Sequence, residues 1–271
     1  MYNDNNLFDK DRGVLMRAYG VSHIGLVRKV NEDSYYYQNK YEYGKPYLCI
    51  VADGMGGHNA GEIASRMAVS EVKDFVEKAV KKSNDYKIED YKKLVTDAFL
   101  FANEKVYKRS IENRTLSGMG TTLTLALIIK NNLVIGHVGD SRMYLIKDRR
   151  ISKITEDHSY VAELIKNGTI KPEEAIHHPQ KNLITRALGT SKDLQVDVKN
   201  ITINDGDFIL ICTDGLSNML SDKEILDTII SVKEYKAICH ELINKANLNG
   251  GLDNVTVVVI EVQLGGEAHD R

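Results

Sequence analysis

Apolar residues recur at helical spacing in four stretches of the chain, and this periodicity predicts four substantial helices. The stretches are residues 60–80, 88–112, 222–231 and 234–247. Short apolar runs bounded by turn-forming residues predict strands in most of the remaining sequence. The predicted strands are residues 15–21, 33–38, 47–52, 121–129, 133–140, 141–148, 149–155, 194–203, 207–213 and 255–263. The pair Asn131-Asn132 predicts a hairpin turn after the fourth of these strands.

The order of these elements indicates the fold class. Strands joined by short turns pair in antiparallel sheets, and the helices fall into one early pair and one late pair. The simplest packing is an α+β fold with four layers, an α/β/β/α sandwich of two antiparallel sheets flanked by helix pairs. We expect a flexible segment at residues 1–13, a single domain over 14–263 and a polar tail at 264–271. Residues 158–190 lack a clear strand pattern, which predicts a flap near a functional site.

Composition limits the function classes. Of the 271 residues, 42% are hydrophobic and 27% are charged, as in ordinary globular proteins. The 36 basic and 38 acidic residues give a net charge of −2, so no basic excess indicates nucleic-acid binding. No apolar run reaches the length of about 18 residues that a membrane span needs, and the N-terminus lacks the apolar core of a signal peptide. The three cysteines form no CxxC pair, which is typical of a reducing compartment, so we expect a cytoplasmic protein.

Aspartates stand where predicted strands end. Asp53, Asp140 and Asp214 each follow an apolar run, and Asp253 stands just before the last run. Carboxylates gathered at one sheet edge repel one another, and they stay ionised together only around a cation. The pattern therefore predicts a hard divalent metal site, at which Gly54 would let the backbone carbonyl approach the ion. Taken singly, each aspartate is also typical of an ordinary strand–turn junction.

A second group of charged residues precedes the first of these aspartates. Glu32 and Asp33 are adjacent, and neighbouring side chains of a strand point to opposite faces. One carboxylate can therefore bind a metal while the other supports it from behind. Arg28 stands four residues earlier, and an arginine beside a metal cluster suits bidentate binding of phosphate. The alternative for Arg28 is a surface ion pair of small energetic weight.

Eight motifs make the chain resemble a known family. They are RKVNED (28–33), VADGMGGHNAGEIAS (51–65), SGMGTTLT (117–124), VGDSRMYL (138–145), EDHS (156–159), NLITRALG (182–189), ICTDGLSNML (211–220) and GGLDNVTVVV (250–259). In this order, over residues 15–262, the chain resembles the bacterial form of the metal-dependent protein serine/threonine phosphatases of type 2C, or PPM class. The resemblance implies the same α/β/β/α sandwich that the element order predicts.

The resemblance also implies two bridged Mn²⁺ or Mg²⁺ ions in a cleft between the sheets. By position, Asp53 would bridge both ions, Asp214 and Asp253 would complete one site, and Glu32 with the Gly54 carbonyl would hold the other. The remaining matches extend this site.

Asp140 matches a residue that forms a third, weaker metal site with Asp214 in bacterial members. Asp33 would support the ligands without touching metal, and Arg28 matches the phosphate-binding arginine.

The activity implied by the resemblance is dephosphorylation of phosphoserine and phosphothreonine in proteins. A hydroxide bridging the two metals would attack phosphorus in line, without a phosphoenzyme. Met55 occupies the position of a histidine in animal members, and His58 is the nearby bacterial counterpart. His58 is a candidate general acid or phosphate-positioning group, with a water molecule or a purely structural loop histidine as the alternatives. The implied partners are phosphorylated proteins and a eukaryotic-like serine/threonine kinase with its substrates.

Other phosphate chemistries fit the sequence less well. A cysteine-based phosphatase needs an arginine six residues after its cysteine, and those positions are Met55, Asn218 and Lys245. No GxxxxGK[ST] loop is present for nucleotide phosphates. Two alternatives stay open, namely a catalytically silent member that binds a phosphoprotein and a hydrolase of small phosphoesters. The filled acidic positions favour an enzyme.

Overall fold

A computed structural model of the chain describes residues 14–42, 45–57, 60–81, 86–175, 178–232 and 234–264. It contains two antiparallel sheets, with helices on the outer face of each. The segment 1–13, nearly all of the tail 264–271 and the candidate His58 lie outside the described residues. Within the described ranges, no helix combines the length and the apolar character that crossing a bilayer requires.

The first sheet has five strands. In spatial order they are β1 (Val14–His23), β11 (Val255–Leu264), β10 (Phe208–Cys212), β7 (Arg142–Lys147) and β8 (Arg150–Lys153). The longest ladder joins β1 to β11, from the pair Val14–Leu264 to the pair His23–Val255. The chain therefore leaves β1 beside the point where it enters β11, which brings the loop that carries Arg28 close to the loop that carries Asp253.

The second sheet has six strands. They are β2 (Asp33–Tyr37), β3 (Tyr47–Met55), β5 (Leu123–Ile129), β6 (Asn132–Val138) and β9 (Asp197–Thr202) in order, with the short β4 (Gly120–Thr121) also paired to β3. The turn between β5 and β6 lies one residue earlier than predicted, because Ile129 pairs with Asn132. Lys130 takes the left-handed backbone conformation there, at φ 54°.

The helices cover the two outer faces. The early pair, α1 (Ala60–Val80) and α2 (Ile88–Glu112), packs on the six-stranded sheet, and the late pair, α6 (Asp222–Ser231) and α7 (Tyr235–Leu248), packs on the five-stranded sheet. Shorter helical segments are a 3₁₀ turn (Arg114–Leu116), α3 (Tyr160–Lys166), α4 (Pro172–Ala175) and α5 (Asp214–Ser217). The predicted α+β sandwich of four layers is confirmed.

Three apolar layers hold the sandwich together, one between the sheets and one under each helix pair. Strand β5, with the sequence LTLALII, is apolar at every position except Thr124. Leu123, Leu125 and Leu127 face the early helices, while Ala126 and Ile128 face the other sheet. Side chains alternate along a strand, so a strand covered on both faces needs mostly apolar residues on both sides.

The region predicted as a flap has little regular structure. Between residues 158 and 190 the described residues form only α3 and α4 and two isolated bridges, Ser159–Ile184 and Thr121–Leu188. The second bridge ties the end of this region to β4 and so to the end of β3. The region therefore returns to the strand end at which Asp53 lies.

Candidate metal centre

A small cavity of about 200 Å³ gathers most of the predicted site residues. We call this cavity the acidic pocket. Its lining includes Arg28, Glu32, Asp53, Gly54, Asp140, Asp214 and Asp253, together with Met55, Gly56, Asn182, Ile184 and Asn254. Residues from six separate stretches of the sequence thus meet at one end of the two sheets. Of the predicted residues that the structure describes, only Asp33 is missing from this lining.

The backbone of Asp53 is fixed on both sides by Thr121, the last residue of β4, and by Thr122, which follows it. Its N–H donates to Thr122 Oγ1 over 2.9 Å. Its carbonyl accepts from Thr121 Oγ1 at 2.7 Å and from the Thr122 N–H at 2.8 Å. Both main-chain groups of Asp53 are therefore paired, which fixes the backbone of this pocket-lining residue.

Glu32 is held by the N-terminus of α1. The Gly54 N–H and the Ser65 hydroxyl donate to its backbone carbonyl over 3.1 and 2.6 Å. Burial raises the pKa of the Glu32 carboxyl, and Arg28 together with the backbone N–H groups of Gly61 and Glu62 lowers it. The free N–H groups at a helix start bind anions, so α1 orients this carboxylate.

This close approach explains two glycines. A Cβ atom on Gly61 would lie 2.5 Å from Glu32 Oε1, and one on Gly54 would lie 2.1 Å from the Gly61 carbonyl oxygen. Neither distance is compatible with a side chain, so both positions need glycine for Glu32 to reach the helix.

Asp33 lies directly behind the pocket. It pairs with Asp53 across the β2–β3 ladder. Its Oδ2 accepts from Thr213 Oγ1 at 3.0 Å and from Thr256 Oγ1 at 2.7 Å. Burial raises the pKa of Asp33 to about 7, although the two threonine hydroxyls lower it. The position of Asp33 agrees with the predicted supporting role, which stays a prediction.

Burial also raises the pKa of the central aspartates. The pKa of Asp53 lies well above its ordinary value because of burial and then because of Asp33, Asp214 and Asp140. The pKa of Asp140 rises to about 7 through burial and the charge of Asp214, and that of Asp214 rises through burial and Asp253. These carboxylates are too close and too dry to ionise together unless a cation compensates them.

Arg28 supplies the one cationic group among the described residues that line the acidic pocket. Its Nη2 donates to Asp253 Oδ2 over 2.7 Å, and the two side chains are 51% and 31% exposed. The ion pair that the sequence left as an alternative is therefore present, at the mouth of the pocket. A half-exposed guanidinium beside the carboxylates can still turn its remaining N–H groups toward an incoming anion.

Unpartnered oxygens test whether the pocket fits a metal. Glu32 Oε1, Asp33 Oδ1, Asp140 Oδ1 and Asp214 Oδ1 are buried and accept no hydrogen bond. Buried carboxylate oxygens without donors are costly, and hard oxygen ligands are what Mg²⁺ and Mn²⁺ prefer. Among the described residues, no three acidic, histidine or cysteine side chains are arranged to hold a metal ion as they stand. The fit to a metal therefore rests on the chemistry of the donor atoms that Glu32, Asp140 and Asp214 bring to the pocket.

The sequence did not single out Asn254, which clamps the loops around the pocket. Its Oδ1 accepts from the Glu32 N–H over 2.8 Å. Its Nδ2 donates to the carbonyls of Ile24 and Val30 over 2.9 and 3.0 Å. The only sequence signal was its place after Asp253, and its three partners lie more than 220 residues away.

Replacing Asn254 with alanine should leave three partly buried backbone groups without their partner and lower the unfolding free energy by about 2 kcal/mol. It should also weaken Mn²⁺ binding by about 10–100-fold, because Glu32 loses its support. Urea unfolding and calorimetric titration measure the two effects.

Asn103 gives a matched control, because its side chain makes the same kinds of hydrogen bond. Its Oδ1 accepts from the Gly189 N–H, and its Nδ2 donates to the carbonyls of Ser191 and Lys192. Its alanine variant should lose similar stability and keep its Mn²⁺ affinity. Equal affinity losses in the two variants would refute a specific role for Asn254.

Comparison with known proteins agrees with this geometry. The profile of the family described as Protein phosphatase 2C matches residues 19–253. The serine/threonine phosphatase stp of Listeria welshimeri is 37% identical over 248 residues, which cover 91% of this chain and 96% of that protein. The chain therefore belongs to the protein phosphatase 2C family, and its class is that of the serine/threonine phosphatases.

Solved structures agree in fold as well as in sequence. The crystal structure of the Mycobacterium tuberculosis serine/threonine phosphatase PstP/Ppp has a TM-score of 0.82 at 37% identity, covering 92% of this chain and 99% of that one. The catalytic domain of PstP in complex with two manganese ions has a TM-score of 0.80 at 36% identity, with coverage of 92% and 99%. A relative solved with two manganese ions thus shares the fold over most of the chain.

Proposed function

We propose that this phosphatase hydrolyses phosphoserine and phosphothreonine in proteins, with two Mn²⁺ or Mg²⁺ ions bound in the acidic pocket. The observation that carries the proposal is the set of three buried carboxylate oxygens without hydrogen-bond partners, on the pocket-lining residues Glu32, Asp140 and Asp214, beside Arg28. Such a site is built for cations and, through them, for a phosphoryl anion. The manganese-bound PstP relative supports the choice of metal.

The ligand assignment follows the predicted one. Asp53 would bridge the two ions, with Asp214 and Asp253 on one side and Glu32 with the Gly54 carbonyl on the other. The support is that all five residues line the acidic pocket. Bound metals of this kind supply an activated water for in-line attack and neutralise phosphoryl charge, so no phosphoenzyme is needed.

The other assigned residues flank this pair. Asp140 would form a third, weaker site with Asp214, which is supported by their electrostatic contact and by an unpartnered oxygen on each. Asp33 would keep Asp53 in place through the strand pairing behind the pocket.

Arg28 would orient the phosphoryl group. Its guanidinium stands at the pocket mouth, held over Asp253, and its free N–H groups form a planar fork that matches two phosphoryl oxygens. His58 or a water molecule would protonate the departing serine or threonine oxygen. The variant His58→Ala tests the role of His58. Unchanged phosphopeptide turnover in that variant would remove the acid role.

The chain organisation is part of the same proposal. Residues 14–263 would form one catalytic domain in which 158–190 act as a flap over the substrate. The support is that Asn182 and Ile184 line the acidic pocket from within this region. A cytoplasmic location remains a prediction, supported by three free buried cysteines.

The partners would be phosphorylated proteins and a eukaryotic-like serine/threonine kinase whose products this enzyme reverses. Comparing phosphothreonine levels with and without the gene tests that pairing. Unchanged levels would contradict it.

One assay separates the proposed function from its rivals. The purified chain should hydrolyse both a phosphothreonine peptide and para-nitrophenyl phosphate with Mn²⁺, and EDTA should abolish both activities. A catalytically silent binder would retain the phosphopeptide without turnover. A small-phosphoester hydrolase would cleave nucleotides or para-nitrophenyl phosphate and leave the peptide intact.

A further inference from the structure

Three large apolar side chains are more than half exposed beside the acidic pocket. Leu26 is 66% exposed, Val27 is 61% exposed and Leu252 is 57% exposed. We call these three residues the apolar rim. Single exposed leucines are common on proteins, whereas grouped ones next to a polar site mark a surface for binding.

The apolar rim is rigid because its two loops are locked together. The Leu26 N–H donates to the Gly251 carbonyl over 2.7 Å. A Cβ atom on Gly251 would lie 2.8 Å from Leu26 Cγ, so the Leu26 side chain covers the Gly251 backbone. A Cβ atom on Gly25 would lie 2.2 Å from the Asp253 carbonyl oxygen, so the loops touch backbone to backbone. A preformed surface of this kind loses little entropy when a partner binds.

The apolar rim is continuous with the proposed phosphate site. Val27 directly precedes Arg28 and Leu252 directly precedes Asp253, and these two charged residues form the 2.7 Å ion pair at the pocket mouth. Consecutive Cα atoms are about 3.8 Å apart, so a residue next to a bound phosphoresidue reaches the rim. The rim residues do not line the acidic pocket, so they face neighbours of the phosphate rather than the phosphate itself.

The apolar surface also points toward a second cavity. A Cβ atom on Gly250 would lie 3.6 Å from Leu252 Cγ and 4.0 Å from Met219 Sδ. Met219 lines a larger cavity, of about 520 Å³, that shares Asp140 and Asp214 with the acidic pocket. An extended peptide crossing the pocket would therefore meet apolar contacts beside its phosphoresidue.

We propose that the apolar rim binds a hydrophobic side chain next to the phosphorylated residue of a protein substrate. This proposal rests on the proposed function and narrows its substrate class to phosphorylation sites with a bulky apolar neighbour. Binding of the hydrophobic side chain at the rim adds to binding of the phosphate in the pocket, because the rim and the pocket use different side chains.

Two phosphothreonine peptides that differ only in leucine or serine on both sides of the phosphoresidue test it. The wild-type enzyme with Mn²⁺ should prefer the leucine peptide by about tenfold in kcat/KM, through a lower KM. The double variant Leu26→Ser, Leu252→Ser should lose this preference. Turnover of para-nitrophenyl phosphate, which has no flanking residues, should stay within about twofold of wild type.

Leu100→Ser is the matched control, because Leu100 is 43% exposed on α2, away from the rim. This variant should keep the peptide preference. Equal kcat/KM of the wild type on both peptides, or a preference that survives in the double variant, would overturn the rim proposal while para-nitrophenyl phosphate is still hydrolysed. Failure of the wild type to hydrolyse either phosphothreonine peptide would instead reject the proposed function, and the rim proposal with it.

Discussion

Replacing Asp214 with asparagine is expected to lower kcat for a phosphothreonine peptide by more than about a hundredfold. Loss of a residue that merely supports a metal ligand costs about 10–100-fold, and Asp214 is assigned as a ligand itself. The amide keeps the shape of the side chain and the hydrogen bond with Asn218, whose Nδ2 donates to Asp214 Oδ2 over 2.9 Å. The effect should therefore come from the lost charge, and steady-state kinetics at saturating Mn²⁺ measure it.

Thermal unfolding distinguishes this effect from damage to the fold. Asp214 is buried beside Asp53 and Asp253, so removing its charge relieves repulsion and desolvation. In EDTA, the asparagine variant should be at least as stable as the wild type. Asp227→Asn, on the exposed face of α6, is the control and should keep full activity. Wild-type turnover in the Asp214 variant would remove Asp214 from the ligand set.

Stability should fall in acid because His137 is buried in its neutral form. Its Nε2–H donates to the Glu156 carbonyl over 3.0 Å, and its Nδ1 accepts from Thr124 Oγ1 over 2.9 Å. Burial and the neighbouring His158 lower the pKa of His137 to about 3, against the weaker opposing effects of Asp157 and the Glu156 carbonyl. Between that value and its ordinary pKa of about 6.5, the unfolded chain binds more protons, so stability rises with pH.

A His137→Gln variant isolates this contribution. The glutamine amide can still donate to the Glu156 carbonyl and does not titrate. The variant therefore lacks the pH dependence of stability that comes from the imidazole. From pH 7.5 to 5, the wild type should lose about 2 kcal/mol more of its unfolding free energy than the variant, at up to about 1.4 kcal/mol per pH unit. Urea titrations at several pH values measure the difference, in which titratable groups that do not interact with His137 cancel. Parallel pH profiles would show that His137 does not titrate as described.

Long elements were predictable because their pattern repeats many times. The helix predicted over 88–112 is observed as Ile88–Glu112, and that over 222–231 as Asp222–Ser231. Helix α5, at Asp214–Ser217, was missed because four residues cannot show a helical period. The β5–β6 turn lies one residue earlier than predicted. Asn132 belongs to the strand because it pairs with Ile129, and the sequence pattern does not reveal that pairing.

The candidate site was likewise predictable from the sequence only in part. Aspartates at the ends of apolar runs were visible, since a strand must stop where its apolar pattern stops. The Asn254 clamp and the seat of Glu32 on the N-terminus of α1 were not visible, because they join groups that only the fold brings together. Sequence therefore identifies the charged groups, and the fold determines which oxygens remain without a partner.

The central claim is that the acidic pocket binds divalent cations through Asp53 and its neighbours. Calorimetric titration of Mn²⁺ into the metal-free protein tests it most directly, with Asp53→Asn as the comparison. The wild type should bind at least two ions per chain, and the variant should lose the tight sites while its fold, checked by circular dichroism, is unchanged. Equal Mn²⁺ stoichiometry and affinity in the two proteins would contradict the metal centre described here.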